Sequence, residues 1–317
     1  MALTALYDVV APAKLNLFLH VVGRRDDGYH LLQSFFQLID WQDRLHFDLR
    51  RDGALSREDL GPALPADDLS LRAARALQQA SGTSFGAHIG VEKHVPWGAG
   101  LGGVSSDAAS TLLALNRLWQ LDWPRERLLT LGATLGADVP FFIGGHNAWV
   151  EGIGERLTPV DLLRASTDPA VEQVLSRGLV VLKPPAAVPT AAIFGDKSLP
   201  RSTPHARLAV FLATPFGFGR NDLQQSAIRY DEQQCRGDPP SSSGSGIRLA
   251  LDVLERSFGN ARMTGSGSAV FAWAGLVPDS PPADTQLQQL LATLPQGWSG
   301  RWCRALAHHP LRDWAQG

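Results

Sequence analysis

Between Pro96 and Ala109 the chain reads Pro-Trp-Gly-Ala-Gly-Leu-Gly-Gly-Val-Ser-Ser-Asp-Ala-Ala, with four glycines and two serines set directly before an apolar run. Glycines let a backbone approach an anion without Cβ interference. Serines where a helix begins leave unpaired N–H groups and the positive end of the helix dipole facing one point. Ala108, Leu112, Leu115 and Trp119 follow at helical spacing, so the segment is a loop leading into an amphipathic helix rather than a linker. It reads as a cradle for a polyphosphate.

Two better-known cradles do not fit. Gly98, Gly100 and Gly103 match the dinucleotide pattern G-x-G-x-x-G, but a Rossmann turn follows its strand immediately. Here the alternating strand candidate Ala87 to Val91 is separated from Gly98 by Lys93, His94, Val95, Pro96 and Trp97. Asp122, at a suitable distance downstream, sits in Leu-Asp-Trp-Pro, which reads as a turn. A Walker A loop fails because no lysine stands before Ser105 or Ser106.

Four further segments narrow the choice. They are Ala11-Pro12-Ala13-Lys14-Leu15-Asn16, Gly23-Arg24-Arg25-Asp26-Asp27-Gly28-Tyr29-His30, Leu135-Gly136-Ala137-Asp138-Val139-Pro140 and Met263-Thr264-Gly265-Ser266-Gly267-Ser268. With them the chain resembles the GHMP kinase superfamily from about Pro12 to Phe271. Within it the likeness is strongest to the branch acting on a cytidine diphosphate-linked methylerythritol. The blocks around Tyr29-His30 and Asp138 are far more specific than the glycine loop.

The resemblance implies an α+β, two-domain GHMP kinase fold, with an N-terminal domain like ribosomal protein S5 domain 2 and a ferredoxin-like C-terminal domain. The active site would lie between them. It also implies ATP as co-substrate and phosphorylation of a hydroxyl in the non-mevalonate route to isoprenoid precursors, giving the 2-phosphate and ADP. Phosphoryl transfer passes through a loose transition state, so the protein mainly positions the acceptor hydroxyl and steadies negative charge. Asp138 matches the family's base or hydroxyl orienter, and Lys14 its charge partner. Tyr29 and Phe194 match the positions that stack on cytidine, His30 a base-edge contact, and Asn16 a contact near the erythritol hydroxyls. Phe36 and Thr190 match further positions lining that site.

For ATP, the resemblance places adenine near Asp68, Leu69 and Lys93. The phosphates would lie on Pro96, Gly98, Ala99, Gly100, Leu101, Gly102, Gly103, Val104, Ser105 and Ser106. The second glycine-serine turn, Thr264, Gly265, Ser266 and Gly267, would close over them. Mg²⁺ is expected because it bridges β- and γ-phosphate oxygens, with Ser106 the candidate protein ligand.

The chain departs from the family pattern at Val104, where glycine is usual, and at Asp107 and Asp68, where asparagine is usual. A β-branched Val104 requires φ below zero. An Asp107 carboxylate about 6 Å from a phosphate oxygen, at an effective dielectric near 20, would be repelled by about 3 kcal/mol. That exceeds the roughly 0.3–1 kcal/mol an acid contributes at a helix N-terminus. Its side chain must turn away or meet a cation, and turning away is the expectation.

Composition is consistent with this reading. A chain of 317 residues, 44% apolar and 19% charged, is long enough for two cores. A net charge of -2 gives no general attraction to nucleic acid or an anionic membrane, which leaves small molecules as the expected partners. Cys235 and Cys303 are too few for a disulfide framework, which fits a reducing cytoplasm. The Pro-Ala-Lys segment begins after about ten residues, leaving no room for a signal or transit peptide, so a cytoplasmic location is expected.

Strands are expected over Lys14 to Val22, Leu45 to Leu49, Asn147 to Val150 and Leu179 to Leu182. A helix capped by Asp67 or Asp68 is expected up to Ala80. The domain change falls near Thr158-Pro159, dividing the chain into residues 1–158 and 159–317. Arg236 to Gly246, rich in Pro, Ser and Gly, reads as a mobile loop.

Overall fold

A computed structural model describes residues 3–160, 178–235, 246–274, 282–294 and 296–316. Nearly all of the Arg236 to Gly246 segment lies outside them.

Two long strands dominate the first half, β1 (Ala5–Arg24) and β2 (His30–Arg50), paired antiparallel. Both run well past the segments expected from alternation. The ladder shifts register at Leu6/Val9, Pro12/Lys14, Asn16/Leu19 and Val21/Gly23, and residues 11–21 are buried on both faces, so neither a clean period nor a polar face marks β1.

β3 (Leu55–Asp59), β4 (Gly86–Glu92), β5 (Ala148–Glu151) and β6 (Arg156–Pro159) complete a six-stranded sheet in the order β3-β4-β2-β5-β6, with β1 on β2. Helix α1 (Leu69–Ser81) starts at Asp68, whose carboxylate accepts from the amides of Ser70 and Leu71.

Helix α2 (Gly103–Leu118) follows the glycine loop as expected, but it is not amphipathic. It is buried from Ser106 through Asn116, packed among β1, β2, α1, α3 (Arg125–Leu135) and α4 (Val139–Gly144). Its apolar spacing is that of a central helix covered on every side. Val104, in its first turn, has φ below zero, as required.

The second half builds a four-stranded antiparallel sheet from β7 (Gly178–Lys183), β8 (Ala261–Met263), β9 (Val270–Ala274) and β10 (Ser299–Arg304). Its order, β10-β7-β9-β8, is the ferredoxin-like arrangement. After β10 the chain returns to the first sheet. Asn147 Nδ2 donates to the carbonyls of Leu306 and Ala307, and Leu311 and Ala315 enter the first core. Val181, Phe271 and Cys303 of the second sheet share a core with Leu15, Leu17 and Phe35 of β1 and β2. The seam between the sheets is therefore apolar at depth and lined by loops at its rim.

Candidate active site

At that rim lies a cavity of about 320 Å³, walled by residues 96–105 on one side and by Gly265, Ser266 and Gly267 on the other. The two glycine turns touch. Ala269 N donates to Ala99 O at 3.1 Å, and a Cβ on Gly100 would fall 2.4 Å from the Thr264 carbonyl oxygen. Thr264 is fully buried and does not line the cavity; its hydroxyl accepts from Asn16 N at 2.8 Å, tying the second turn to β1. Thr190 and Ser266 hydroxyls meet at 2.8 Å across the cavity wall.

The floor carries the charged pair. Lys14 Nζ donates to Asn16 Oδ1 at 2.7 Å, stands 3.7 Å from Asp138 Oδ2 and lies 4.5 Å from the centre of the Phe36 ring. Asp138 is the N-cap of α4, yet its carboxylate makes no capping hydrogen bond, which leaves it to face Lys14. α3 packs closely on α4 at Gly132, where a Cβ would fall 2.5 Å from Ile143 Cδ1. Burial pushes the Lys14 ammonium below the ordinary lysine range, against the opposing pull of Asp138. Ser34, which no sequence signal marks, accepts from Asn16 Nδ2 at 2.8 Å and donates to Phe18 O at 2.5 Å. It thereby turns the Asn16 amide so that its oxygen meets Lys14.

A second cavity of about 580 Å³ adjoins the first, sharing Leu32, Ile153, Thr190 and Phe194 with it. Phe194 stacks on His30 at 5.1 Å between centres, while Tyr29, on the same cavity, is 60% exposed. Burial first, then Arg201 and Arg24, hold His30 below the usual imidazole range. Its Nε2 accepts from Arg201 Nε at 3.2 Å, which assigns the proton of the neutral ring to Nδ1.

On the other side of Trp97 and Val104 lies a third cavity, reached by Asp68 and Leu69. Asp68 is committed there as a helix cap and as the partner of Arg57 Nη1 at 2.6 Å. Trp97 is 44% exposed and faces both this cavity and the first. An aromatic flanked by Pro96 and Gly98 was the available signal for it.

Two expectations, for Asp107 and Ser106, need correction. Asp107 does not turn away: Lys93 Nζ donates to its Oδ2 at 2.6 Å, inside the protein. Lys93 borders the first and third cavities, but its ammonium is engaged by Asp107 and Asp43 rather than presented freely to a ligand. Ser106 is fully buried, its hydroxyl has no hydrogen-bond partner, and it does not line the cavity; the serine at the wall is Ser105. Helical periodicity explains this, because consecutive residues of α2 point about 100° apart, so that Ser105 lines the cavity while Ser106 turns into the core. Among the described residues no three His, Cys, Asp or Glu side chains gather as a metal cage. Any ion here would be held largely by phosphate and water oxygens, with Ser105 and Asp138 among the protein oxygens at the cavity.

The fold and the loop-to-helix phosphate cradle are those of a GHMP-type kinase, and residues 68–146 match the family model described as GHMP kinases N terminal domain. The chain is 58% identical over 315 residues to 4-diphosphocytidyl-2-C-methyl-D-erythritol kinase of Methylibium petroleiphilum, covering 99% of this chain and 100% of the relative. It is 52% identical to the protein of the same name from Albidiferax ferrireducens, covering 98% and 96% of the two chains. A crystal structure of 4-(cytidine 5'-diphospho)-2C-methyl-D-erythritol kinase superposes with a TM-score of 0.72 at 32% identity, covering 93% of this chain and 98% of that one. A mevalonate kinase structure shares the fold at a TM-score of 0.61 and 14% identity, covering 94% and 98%. The chain belongs to the 4-diphosphocytidyl-2-C-methyl-D-erythritol kinase family.

Proposed function

We propose that Lys14 and Asp138 carry the transfer of the γ-phosphoryl group of ATP to a hydroxyl of 4-diphosphocytidyl-2-C-methyl-D-erythritol, giving the 2-phosphate and ADP. The chain is a small-molecule kinase of isoprenoid biosynthesis. The observation that carries the assignment of roles is the 3.7 Å approach of Lys14 to Asp138 in the first cavity, which shares Leu32, Ile153, Thr190 and Phe194 with the second. One cavity is walled by both glycine turns and the other by His30, Tyr29 and Phe194.

In this reading residues 1–158 hold the nucleotide and residues 159–317 close over it. The triphosphate lies along the N–H groups of residues 98–105 and the start of α2. Adenine lies toward Asp68, Leu69 and Trp97. Cytidine packs against Phe194 and Tyr29, with His30 Nδ1–H available to an acceptor on the base edge. The acceptor hydroxyl sits between Asn16 and Asp138. A lysine so close to the carboxylate makes Asp138 an orienter early and a proton acceptor late, which suits a transition state needing little early deprotonation. Lys14 steadies charge on the transferring group. Mg²⁺, when bound, would neutralise charge between the β- and γ-phosphates, with Ser105 and Asp138 able to supply oxygens.

Among the described residues no helix is long and apolar enough to cross a membrane. We take the partners to be the two small molecules, with neither nucleic acid nor membrane, and the location to be the cytoplasm. A coupled ADP-release assay run with the cytidylyl substrate, homoserine, mevalonate and galactose tests the assignment. Turnover confined to the cytidylyl substrate is expected, and comparable turnover of any of the others overturns it.

A further inference from the structure

A buried ion cluster beneath the glycine loop takes no part in the chemistry above. Asp43 on β2 is fully buried, and Lys93 pairs with it and with Asp107, the three side chains being between 0% and 5% exposed. The cluster grips the loop at both ends. At its start, Asp43 Oδ1 accepts from His94 N at 2.6 Å and Val95 N at 2.8 Å, while Trp41 Nε1 donates to His94 O at 2.8 Å. At its end, Asp107 stands in α2, and Lys93 is its link back to β2. Gly103, the first residue of α2, lies so close that a Cβ there would meet Val95 at 2.9 Å and Asp43 Oδ2 at 3.5 Å.

We propose that Lys93 and Asp107 are positioning residues for the phosphate loop. By bridging Asp43 to α2 they fix the two ends of residues 94–103 against β2 and so set the spacing of the loop amides. The inference rests on the reading that this loop holds the triphosphate of ATP.

Three features favour bracing over direct ligand contact. The Lys93 ammonium already donates to two carboxylates. Asp107 Oδ1 is buried without a hydrogen-bond partner, so the carboxylate makes its one charged contact inward. Burial and then Asp43 raise the Asp107 carboxyl well above its ordinary range against the pull of Lys93, while the two carboxylates outweigh burial and raise Lys93. Two carboxylates facing one ammonium leave a surplus negative charge or a retained proton, and asparagine at 107 would keep an acceptor for Lys93 without it.

The test compares Asp107→Leu with Asp107→Asn. Leucine removes the anchor on α2 but leaves the Lys93–Asp43 pair neutral and intact, so it is chosen to fold; asparagine still accepts from Lys93. MgATP affinity is read by titration calorimetry, and KM for each substrate by ADP release. Asp107→Leu is expected to weaken MgATP on the order of tenfold to a hundredfold, as loss of a supporting contact does elsewhere, with the acceptor KM within about twofold. Asp107→Asn is expected to recover most of that loss.

If Lys93 instead contacts the nucleotide directly, Asp107→Leu frees it and MgATP binds as well as before or better, which overturns the proposal. Equal damage to both substrates, or no recovery in Asp107→Asn, also overturns it. Should Asp107→Leu fail to fold, ligand-free Asp107→Asn, which keeps the Lys93 link, is compared by amide hydrogen exchange with the same variant carrying Lys93→Met, which cannot bridge. Faster exchange of residues 94–103 in the double variant supports the bridge, and unchanged exchange refutes it. Wild-type protein that binds no MgATP sinks the parent reading; wild-type binding with an unimpaired Asp107→Leu sinks only this inference.

Discussion

Alanine at Gly100 and at Gly98 separates backbone strain from closure of the two glycine turns. Both residues have positive φ, +74° and +58°, so either alanine should cost roughly 1–2 kcal/mol of left-handed strain. They differ in what the new methyl meets. At Gly98 nothing lies within 4 Å, whereas at Gly100 the Cβ falls 2.4 Å from Thr264 O and 3.1 Å from Thr264 C. Both contacts are backbone, so no side chain can swing aside; reaching an ordinary contact of 3.4 Å requires the turns to part by 3.4 − 2.4 = 1.0 Å. A displacement of about 1 Å in a catalytic arrangement costs on the order of 10²-fold in rate. Denaturant unfolding of the ligand-free variants should show Gly98→Ala losing only the strain and Gly100→Ala losing measurably more. In ADP-release assays kcat/KM for ATP should fall about a hundredfold in Gly100→Ala while the acceptor KM holds. If Gly100→Ala matches Gly98→Ala in both stability and kinetics, the two turns are not closed on one another as described.

Asp138→Asn should lower kcat by about 10²-fold or more with little change in ATP binding, and near-wild-type kcat in the folded variant would remove Asp138 from the chemistry. Because burial lowers the Lys14 pKa, its ammonium should be lost on raising pH before an ordinary lysine's, at about 10.4, would be. A kcat–pH profile flat to that point would contradict a catalytic charge on Lys14. Tyr29→Ala and Phe194→Ala should each raise the acceptor KM by the equivalent of about 1–3 kcal/mol of lost stacking and leave the ATP KM nearly unchanged; an equal rise for both substrates would make them structural. His309 is pushed down to about 3 by burial, then by Arg125 and His308, so the unfolded chain takes up its proton first as pH falls below about 6.5. Stability present above that pH is lost on acidification, by about 2 kcal/mol between pH 7 and pH 5, and urea titrations of His309→Gln should show a decline shallower by that amount than wild type.

The glycine loop, the start of α2 and the Asp68 cap were legible because each is a local demand of the backbone, satisfied within a few residues of the sequence that makes it. The expected strands at Leu45 to Leu49 and Leu179 to Leu182 lie inside β2 and β7, for the same reason of local apolar density. Most of β1 and β2 was not legible. Repeated register shifts and burial on both faces erase the period that marks a strand. The missing polar face of α2 likewise reflects what packs around it, which local sequence does not contain.

The site divides along the same line. Lys14, Asp138 and the two glycine turns came from motif matches, and the structure brings them to one cavity. What orients them is longer range. Asn16 N meets Thr264 Oγ1 across 248 positions, Ser34 turns the Asn16 amide, and Asp43 reaches Lys93 across 50. A serine, a threonine or an aspartate in a strand has no local signature separating such a bond from a solvated side chain. Asp107 shows the cost of reasoning without those contacts. Electrostatic repulsion correctly required the carboxylate to turn away or meet a cation, and the choice between the two depended on a lysine 14 positions earlier, on the far side of the loop. Charge near a phosphate cradle therefore identifies a problem the fold must solve, and only the packing of β2 beneath the loop identifies the solution.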